Sequence, residues 1–193
     1  MIESGIDFCF SESYNVVKFD ETSFYSLFKS SMPNGKGIDF FADSEDKLLL
    51  IEVKNCLNHE SENNWRTQVS YTKINGNTLE ESFDIEVAKK VQSTIACIVG
   101  ANTGYDYSNS DELKPLFKAI SSNKFAKGTK TIEVILYLEG NFKSRTRSKD
   151  MIMKRIQDKV KEKLKWLNCN IRVVDYNTHG NRYFKTEYIH ISG

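Results

Sequence analysis

Three charged residues stand inside the apolar runs of GIDFFADSEDKLLLIEVKN (37–55): Asp39, Glu52 and Lys54. Burying unpaired charge costs of order ~5 kcal/mol, so it is rarely kept without purpose. Side chains alternate along a strand. Glu52 and Lys54 therefore share a face with Leu48 and Leu50, while Leu49, Ile51 and Val53 take the other. Asp39 shares a face with Phe41, and Ile38 and Phe40 point away. If the two runs pair as an antiparallel hairpin across the DSED turn, Asp39 comes beside Glu52. Neighbouring carboxylates repel and one pKa rises; a divalent cation removes the conflict. Mg²⁺ often takes one or two carboxylates and fills its shell with water and phosphate oxygens. Lys54 reaches past such an ion, to orient or help deprotonate a water or to neutralise phosphate charge. Metal, positioned water and cation are the minimum set for phosphodiester hydrolysis. The plain alternative is an exposed hairpin with a Glu–Lys pair, for which LLLIEV is too apolar.

The elements that must hold these groups follow from periodicity. FCFSESYNVVKF (8–19) reads as a hairpin and ETSFYSLFKSS (21–31) as a short helix with Phe24, Leu27 and Phe28 at helical spacing. MPNGKG (32–37) is turn chemistry, before strands at 37–43 and 47–55. The stretch 56–77 is polar and Asn-rich without a clear period, long for a plain connection. Thr78 and Glu81 form a possible capping box for a helix over 79–100, with a stripe of Phe83, Val87, Val91, Ile95 and Ile98. A loop at 102–111 and a short helix ELKPLFKAI lead to TIEVILYLEG (131–140), a run suited to a central strand buried on both faces. The clearest helix is 148–167, with Ile152, Ile156, Val160, Leu164 and Leu167 on one side, followed by a strand at 170–176. Strand, helix, strand in this order implies a parallel, right-handed crossover. The expectation is a single α/β domain over 1–193: a central mixed sheet flanked by helices, with an N-terminal β-hairpin.

An Asp in one strand and Glu-x-Lys in the next resembles the PD-(D/E)xK nuclease superfamily, the restriction-endonuclease-like fold. The matching residues are Gly37-Ile38-Asp39 and Glu52-Val53-Lys54. That family's core runs helix, three-stranded meander, helix, strand, which the elements at 21–31, 37–43, 47–55, 79–100 and 131–139 follow in outline. The first meander strand is unplaced, lying in 32–37 or in the N-terminal hairpin. Ile38 stands where the family has proline. The resemblance implies Mg²⁺, with Mn²⁺ as substitute, held by Asp39, Glu52 and the Val53 carbonyl. Glu21 is the candidate for the extra glutamate that many members carry on the first helix, with Glu12 behind it. Gln68 and Tyr71 are one residue too close for the Gln-x-x-x-Tyr motif of exonuclease-like members, which leaves Gln68 an accessory candidate.

Charge is uneven. Residues 1–80 hold 7 Lys and Arg against 13 Asp and Glu, and residues 81–193 hold 20 against 13. Lys143, Arg145, Arg147 and Lys149 lie in a loop after the long strand, where arginine forks suit phosphate oxygens. A solvated face explains Lys159 to Lys165 as well. Trp65 and Arg66 are candidates to stack on an unpaired base, with a core role for Trp65 as the alternative. Four scattered cysteines, three unpaired histidines and no Gly-rich phosphate loop argue against zinc and nucleotide chemistry. No apolar run spans a membrane and no signal peptide starts the chain, which points to the cytoplasm. The expected activity is a metal-dependent nuclease, DNA favoured over RNA, with restriction, repair or defence as possible settings. The expected associations are a homodimer, which would cut two strands, or a partner protein that supplies targeting. The alternative is a nuclease-fold module that binds nucleic acid or scaffolds a complex without cutting.

Overall fold

In a computed structural model, described over residues 1–103, 111–144 and 146–189, the chain opens with strands β1 (Ile2–Glu3) and β2 (Ile6–Phe10). Ser4 and Gly5, at φ 50° and 77°, supply the positive φ pair of a tight hairpin turn between them. The N-terminal hairpin is therefore 2–10 and not 8–19. Strand β3 (Asn15–Lys18) leaves β2 and joins another sheet. A 3-10 turn at Phe19–Glu21 leads to helix α1 (Ser23–Ser31), capped by Thr22. Its buried residue is Tyr25, while Leu27 of the expected stripe is exposed.

Strands β4 (Phe40–Asp43) and β5 (Lys47–Asn55) form the expected antiparallel pair, Phe41 opposite Leu50. The stretch expected to be irregular holds a short helix α2 (Glu60–Asn63), a 3-10 turn at Asn64–Thr67, and a hairpin of β6 (Thr72–Asn75) and β7 (Thr78–Glu81). Gly76 at φ 59° turns that hairpin. Thr78 and Glu81 are thus strand residues and cap nothing. Helix α3 (Phe83–Thr103) begins instead after buried Ser82, whose carbonyl accepts from Ile85 and Glu86. Helix α4 (Lys114–Ile120), strand β8 (Thr131–Glu139), helix α5 (Lys149–Lys163), strand β9 (Cys169–Val174) and strand β10 (Phe184–Tyr188) complete the order.

The central sheet is mixed, ordered β3-β4-β5-β8-β9. Its first two pairings are antiparallel and the last two parallel. The helices cover one face: Phe41, Leu48, Leu50, Val134 and Leu136 pack with Val87, Val91, Ile152 and Ile156. A three-stranded sheet, β1-β2-β10, covers the other through Phe8, Phe40, Ile51, Val53, Tyr137 and Phe184. Strand β8 is accordingly buried on both sides. Among the described residues no helix is long and apolar enough to cross a membrane. The expected loop at 102–111 falls mostly outside the described residues, as does Arg145.

Candidate active site

The strand parity of β5 places Leu48 and Leu50 on the helix-covered face and Leu49, Ile51 and Val53 on the other. Glu52 and Lys54 therefore look toward α3. Asp39 sits one residue before β4, and its backbone still pairs: its N–H donates to the Ile51 carbonyl at 3.0 Å, and its carbonyl accepts from Phe19 N at 2.8 Å. Ile38 breaks the expected alternation and packs on the helix side, because the chain at 37–39 has not yet entered the regular strand.

This approach is tightly held. A Cβ on Gly37 would lie 2.7 Å from the Phe19 ring and 3.0 Å from Tyr25, so only glycine lets the chain pass. Gly37 N donates to the Tyr25 hydroxyl at 2.8 Å, and Ile38 N to Thr94 Oγ1 at 3.0 Å. Asp39 Oδ2 accepts from Val53 N at 2.6 Å. In a strand a residue's N–H and carbonyl project from the same edge. The Val53 carbonyl thus lies on the Asp39 side, as a metal role for it requires.

Helix α3 supplies the rest. Four residues rise about 6 Å along a helix, close to the ~6.6 Å of two residues in a strand. The row Glu86, Lys90, Thr94 therefore keeps step with Lys54, Glu52 and the chain before β4. Lys90 Nζ donates to Glu52 Oε2 at 2.7 Å, lies 2.6 Å from Oε1, and reaches Asp39 Oδ1 at 3.4 Å. Those legs of 2.6 and 3.4 Å to one nitrogen keep the two carboxylates within about 6 Å of each other. Lys54 Nζ lies 2.8 Å from Glu52 Oε1 and donates to Glu86 Oε1 at 3.1 Å. Arg66 closes the series on Glu86 Oε2, with its guanidinium 4.4 Å over the Phe83 ring. Charges alternate along the network: Asp39, Lys90, Glu52, Lys54, Glu86, Arg66.

Glu52 is 1% exposed. Burial pushes its carboxyl up to about 7, against the pull of Lys54 and Lys90. Its Oε1 touches two ammonium groups but has no partner aligned for a hydrogen bond. Burial alone would lower the Lys54 pKa, yet Glu52 and Glu86 raise it, so this lysine stays charged. Burial would likewise raise Glu86, but Lys54 and Arg66 hold it below the usual range.

The other sequence candidates are placed differently. Glu21 points to Lys18 at 2.5 Å and its side chain is 65% exposed. The acid turned inward from that 3-10 turn is its neighbour Asp20, with Oδ1 buried and unpartnered. Burial and then the charge of Asp39 raise the Asp20 pKa. Glu12 lines a separate open hollow with Tyr14 and Asp43. Gln68 lies not on the carboxylates but in a cleft of about 380 Å³ with Arg147 and Arg155. Lys143 and Arg147 line the neighbouring hollow, whereas the Lys149 ammonium is taken by Asp175. Trp65 is half-buried, 6.0 Å from Tyr71, with Lys73 over its ring. It borders a cleft of about 350 Å³ that reaches Glu86. Among the described residues no group of three His, Cys, Asp or Glu is arranged to hold a metal.

The match to known families spans residues 22–187 and is to DUF6661, a family of unknown function. The chain belongs to DUF6661. All six members of the charge network lie within the part that matches DUF6661, and Asp20 lies just before it. No curated protein and no solved structure matches the chain.

Lys90, Glu86 and Asp20 escaped the sequence reading. A signal for the first two exists: Glu86, Lys90 and Thr94 form a polar row at spacing four, beside the apolar stripe of Phe83, Val87 and Val91. Polar residues in step with a buried stripe face the same packing surface.

Proposed function

We propose that the protein is a Mg²⁺-dependent nuclease, acting on DNA in preference to RNA, built on a restriction-endonuclease-like core. The observation that carries this reading is the meeting of Asp39, one residue before β4, and Glu52, near the end of the paired β5, within about 6 Å, with Lys54 alongside. Mixed-sheet topology supports the fold assignment: β3-β4-β5 form a meander and β5 runs parallel to β8 after α3. The chain order departs from the superfamily in one respect. Helix α1 follows the first meander strand rather than preceding it.

The donor set fits a hard divalent cation. Its oxygens are carboxylates, one of them, Glu52 Oε1, buried without an aligned hydrogen bond. Mg²⁺ often uses only two protein carboxylates, and Mn²⁺ suits the same ligands. Asp39, Glu52 and the Val53 carbonyl would hold the ion, which supplies Lewis-acid polarisation of a phosphodiester and an acidified water. Asp20 replaces Glu21 as the further acid on that side. Because Lys54 stays protonated, its role is to orient the attacking water and to take up charge developing on the phosphoryl oxygens, not to act as the base. Glu86 and Arg66 position Lys54.

A track for the nucleic acid follows from topology. The loops after β5 and β8 leave from the carboxyl ends of adjacent parallel strands, Asn55 opposite Glu139, where α/β sheets bind ligands. Glu60 ties the two loops by accepting from Asn141 N at 3.0 Å. Lys143, Arg147 and Arg155 form no ion pair among the described residues and can meet phosphates.

A second reading, a module that holds nucleic acid or a protein complex without cutting, is favoured by the ammonium of Lys90 already contacting both carboxylates. Cleavage of supercoiled plasmid, single-stranded DNA and RNA in Mg²⁺ or Mn²⁺, wild type against Lys54→Ala, separates the two. Metal-dependent cleavage lost in the variant is expected. Binding without cleavage of any substrate would replace the first reading by the second.

A further inference from the structure

We propose that Lys90 is a resident competitor of the divalent cation: its ammonium holds the Asp39–Glu52 pair until a metal displaces it. The proposal rests on the reading of those two carboxylates as the cation site. Lys90 projects from α3 and contacts both oxygens of Glu52, at 2.6 and 2.7 Å, as well as Asp39 Oδ1 at 3.4 Å. It is not a solvated surface lysine, since its side chain is only 12% exposed. Nor does it take the partner nearest in sequence. Glu86, four residues before it, is the favourable helical pairing, but Glu86 is given to Lys54, Arg66 and, at 3.9 Å, Lys36. Lys90 is thus committed across the interface to β5.

A cation bridging the two carboxylates with oxygen ligands at ~2.1 Å and an ammonium 2.6 to 3.4 Å from those same carboxylates cannot occupy one position. Entry of the metal must therefore move Lys90. Charge leads to the same result. Asp39, Glu52 and Glu86 are already matched by Lys90, Lys54 and Arg66, so an added divalent ion leaves this set with two excess positive charges, which withdrawal of Lys90 reduces to one. Withdrawal leaves a tethered cation at the edge of the site, free to meet a substrate phosphate. Metal affinity is then set by the cost of removing Lys90.

Mn²⁺ binding tests this, measured by electron paramagnetic resonance on the intact chain, together with melting temperature in EDTA and in Mn²⁺. Lys90→Met and Lys90→Gln are expected to bind Mn²⁺ at least tenfold more tightly than wild type. They should melt lower in EDTA and gain more from Mn²⁺. Lys90→Arg, which keeps the charge, should bind no tighter than wild type. A measurement on wild type stands apart from the folding of any variant: reductive methylation of Lys90, read by mass spectrometry, should rise when Mn²⁺ is added. Unchanged or weaker Mn²⁺ binding by the folded neutral variants, or methylation of Lys90 unaffected by bound Mn²⁺, overturns the role of Lys90 and leaves the cation site standing. Absence of Mn²⁺ binding in every form, or binding indifferent to Asp39→Asn, removes the site itself and the inference with it.

Discussion

Glu52 on β5 and Glu133 on β8 are both glutamates buried on adjacent parallel strands, yet their surroundings differ in kind. Glu133 stands near the start of its strand, opposite Leu49. One of its oxygens accepts from Asn170 Nδ2 at 3.0 Å, and the other from Arg172 Nε at 3.2 Å. Those donors are on β9, the next strand, and a planar guanidinium suits a carboxylate well. Glu52 stands near the end of its strand, facing a helix, and among the described residues its carboxylate meets only lysine ammoniums. One of its oxygens lacks an aligned donor, and burial pushes its carboxyl up to about 7. A buried charge is not by itself a site. A carboxylate whose hydrogen bonds are closed by neighbouring strands is architecture. One that meets lysine ammoniums at the carboxyl ends of strands is where the proposed function puts a cation.

The largest expected difference between the two is in activity. Glu52→Gln should lower Mn²⁺-dependent cleavage by at least a hundredfold, on the scale of losing a main stabilising group. Glu133→Gln should leave the rate within a few-fold. Equal losses would erase the distinction. Stability should separate them next. Glu133→Ala strands Arg172 and Asn170 and is expected to cost about 3 kcal/mol, a fall in melting temperature of about 6 to 12 °C for a chain of this size.

Glu52 should behave in the opposite sense. Its carboxyl is raised from an ordinary 4.5 to about 7, so the folded state holds the proton more tightly than the unfolded state. Its contribution to stability is complete below 4.5 and is lost as pH rises through about 7. Glu52→Gln should therefore gain stability relative to wild type between those pH values, by up to about 3 kcal/mol in metal-free buffer. Denaturant melts at pH 4.5 and 8 check the sign. On the proposed function the same proton would compete with the cation. Mn²⁺ affinity in wild type should fall by about tenfold per pH unit below 7, with a proton released on binding; calorimetry in buffers of different ionisation heat reads that proton. Glu133→Gln should leave this pH dependence in place. The smallest effect concerns the loop beyond both glutamates. Lys143→Ala with Arg147→Ala should weaken duplex DNA binding and lower the salt slope by about 2, close to one for each phosphate contact, leaving Mn²⁺ binding unchanged.

Much of this arrangement was legible from the chain alone. The β4–β5 pair, the stripes of α3 and α5 and the doubly buried β8 follow periods of 2 and 3.6, which are local properties. Elsewhere one local signal is outranked by another or by tertiary pairing. FCFSESYNVVKF has two β runs, but positive φ at Ser4 and Gly5 makes the turn one segment earlier, and β3 then pairs with β4 across α1. The two-residue loop Gly76-Asn77 is a hairpin signal, stronger than the capping pattern of Thr78 and Glu81. Glu21 is one residue from Asp20, and the twist of a 3-10 turn decided which of the two faces inward.

The sequence by itself determined which charges share a strand face. Alternation fixes Glu52 and Lys54 together, and the short turn before Lys47 leaves Asp39 little choice but to join them. Only the tertiary structure decided what answers those charges. Lys90 lies 38 residues beyond Glu52 and Glu86 lies 32 beyond Lys54. No local period connects them. They meet because α3 must run back over β5 to reach parallel β8, and because four residues of helix match two of strand in length.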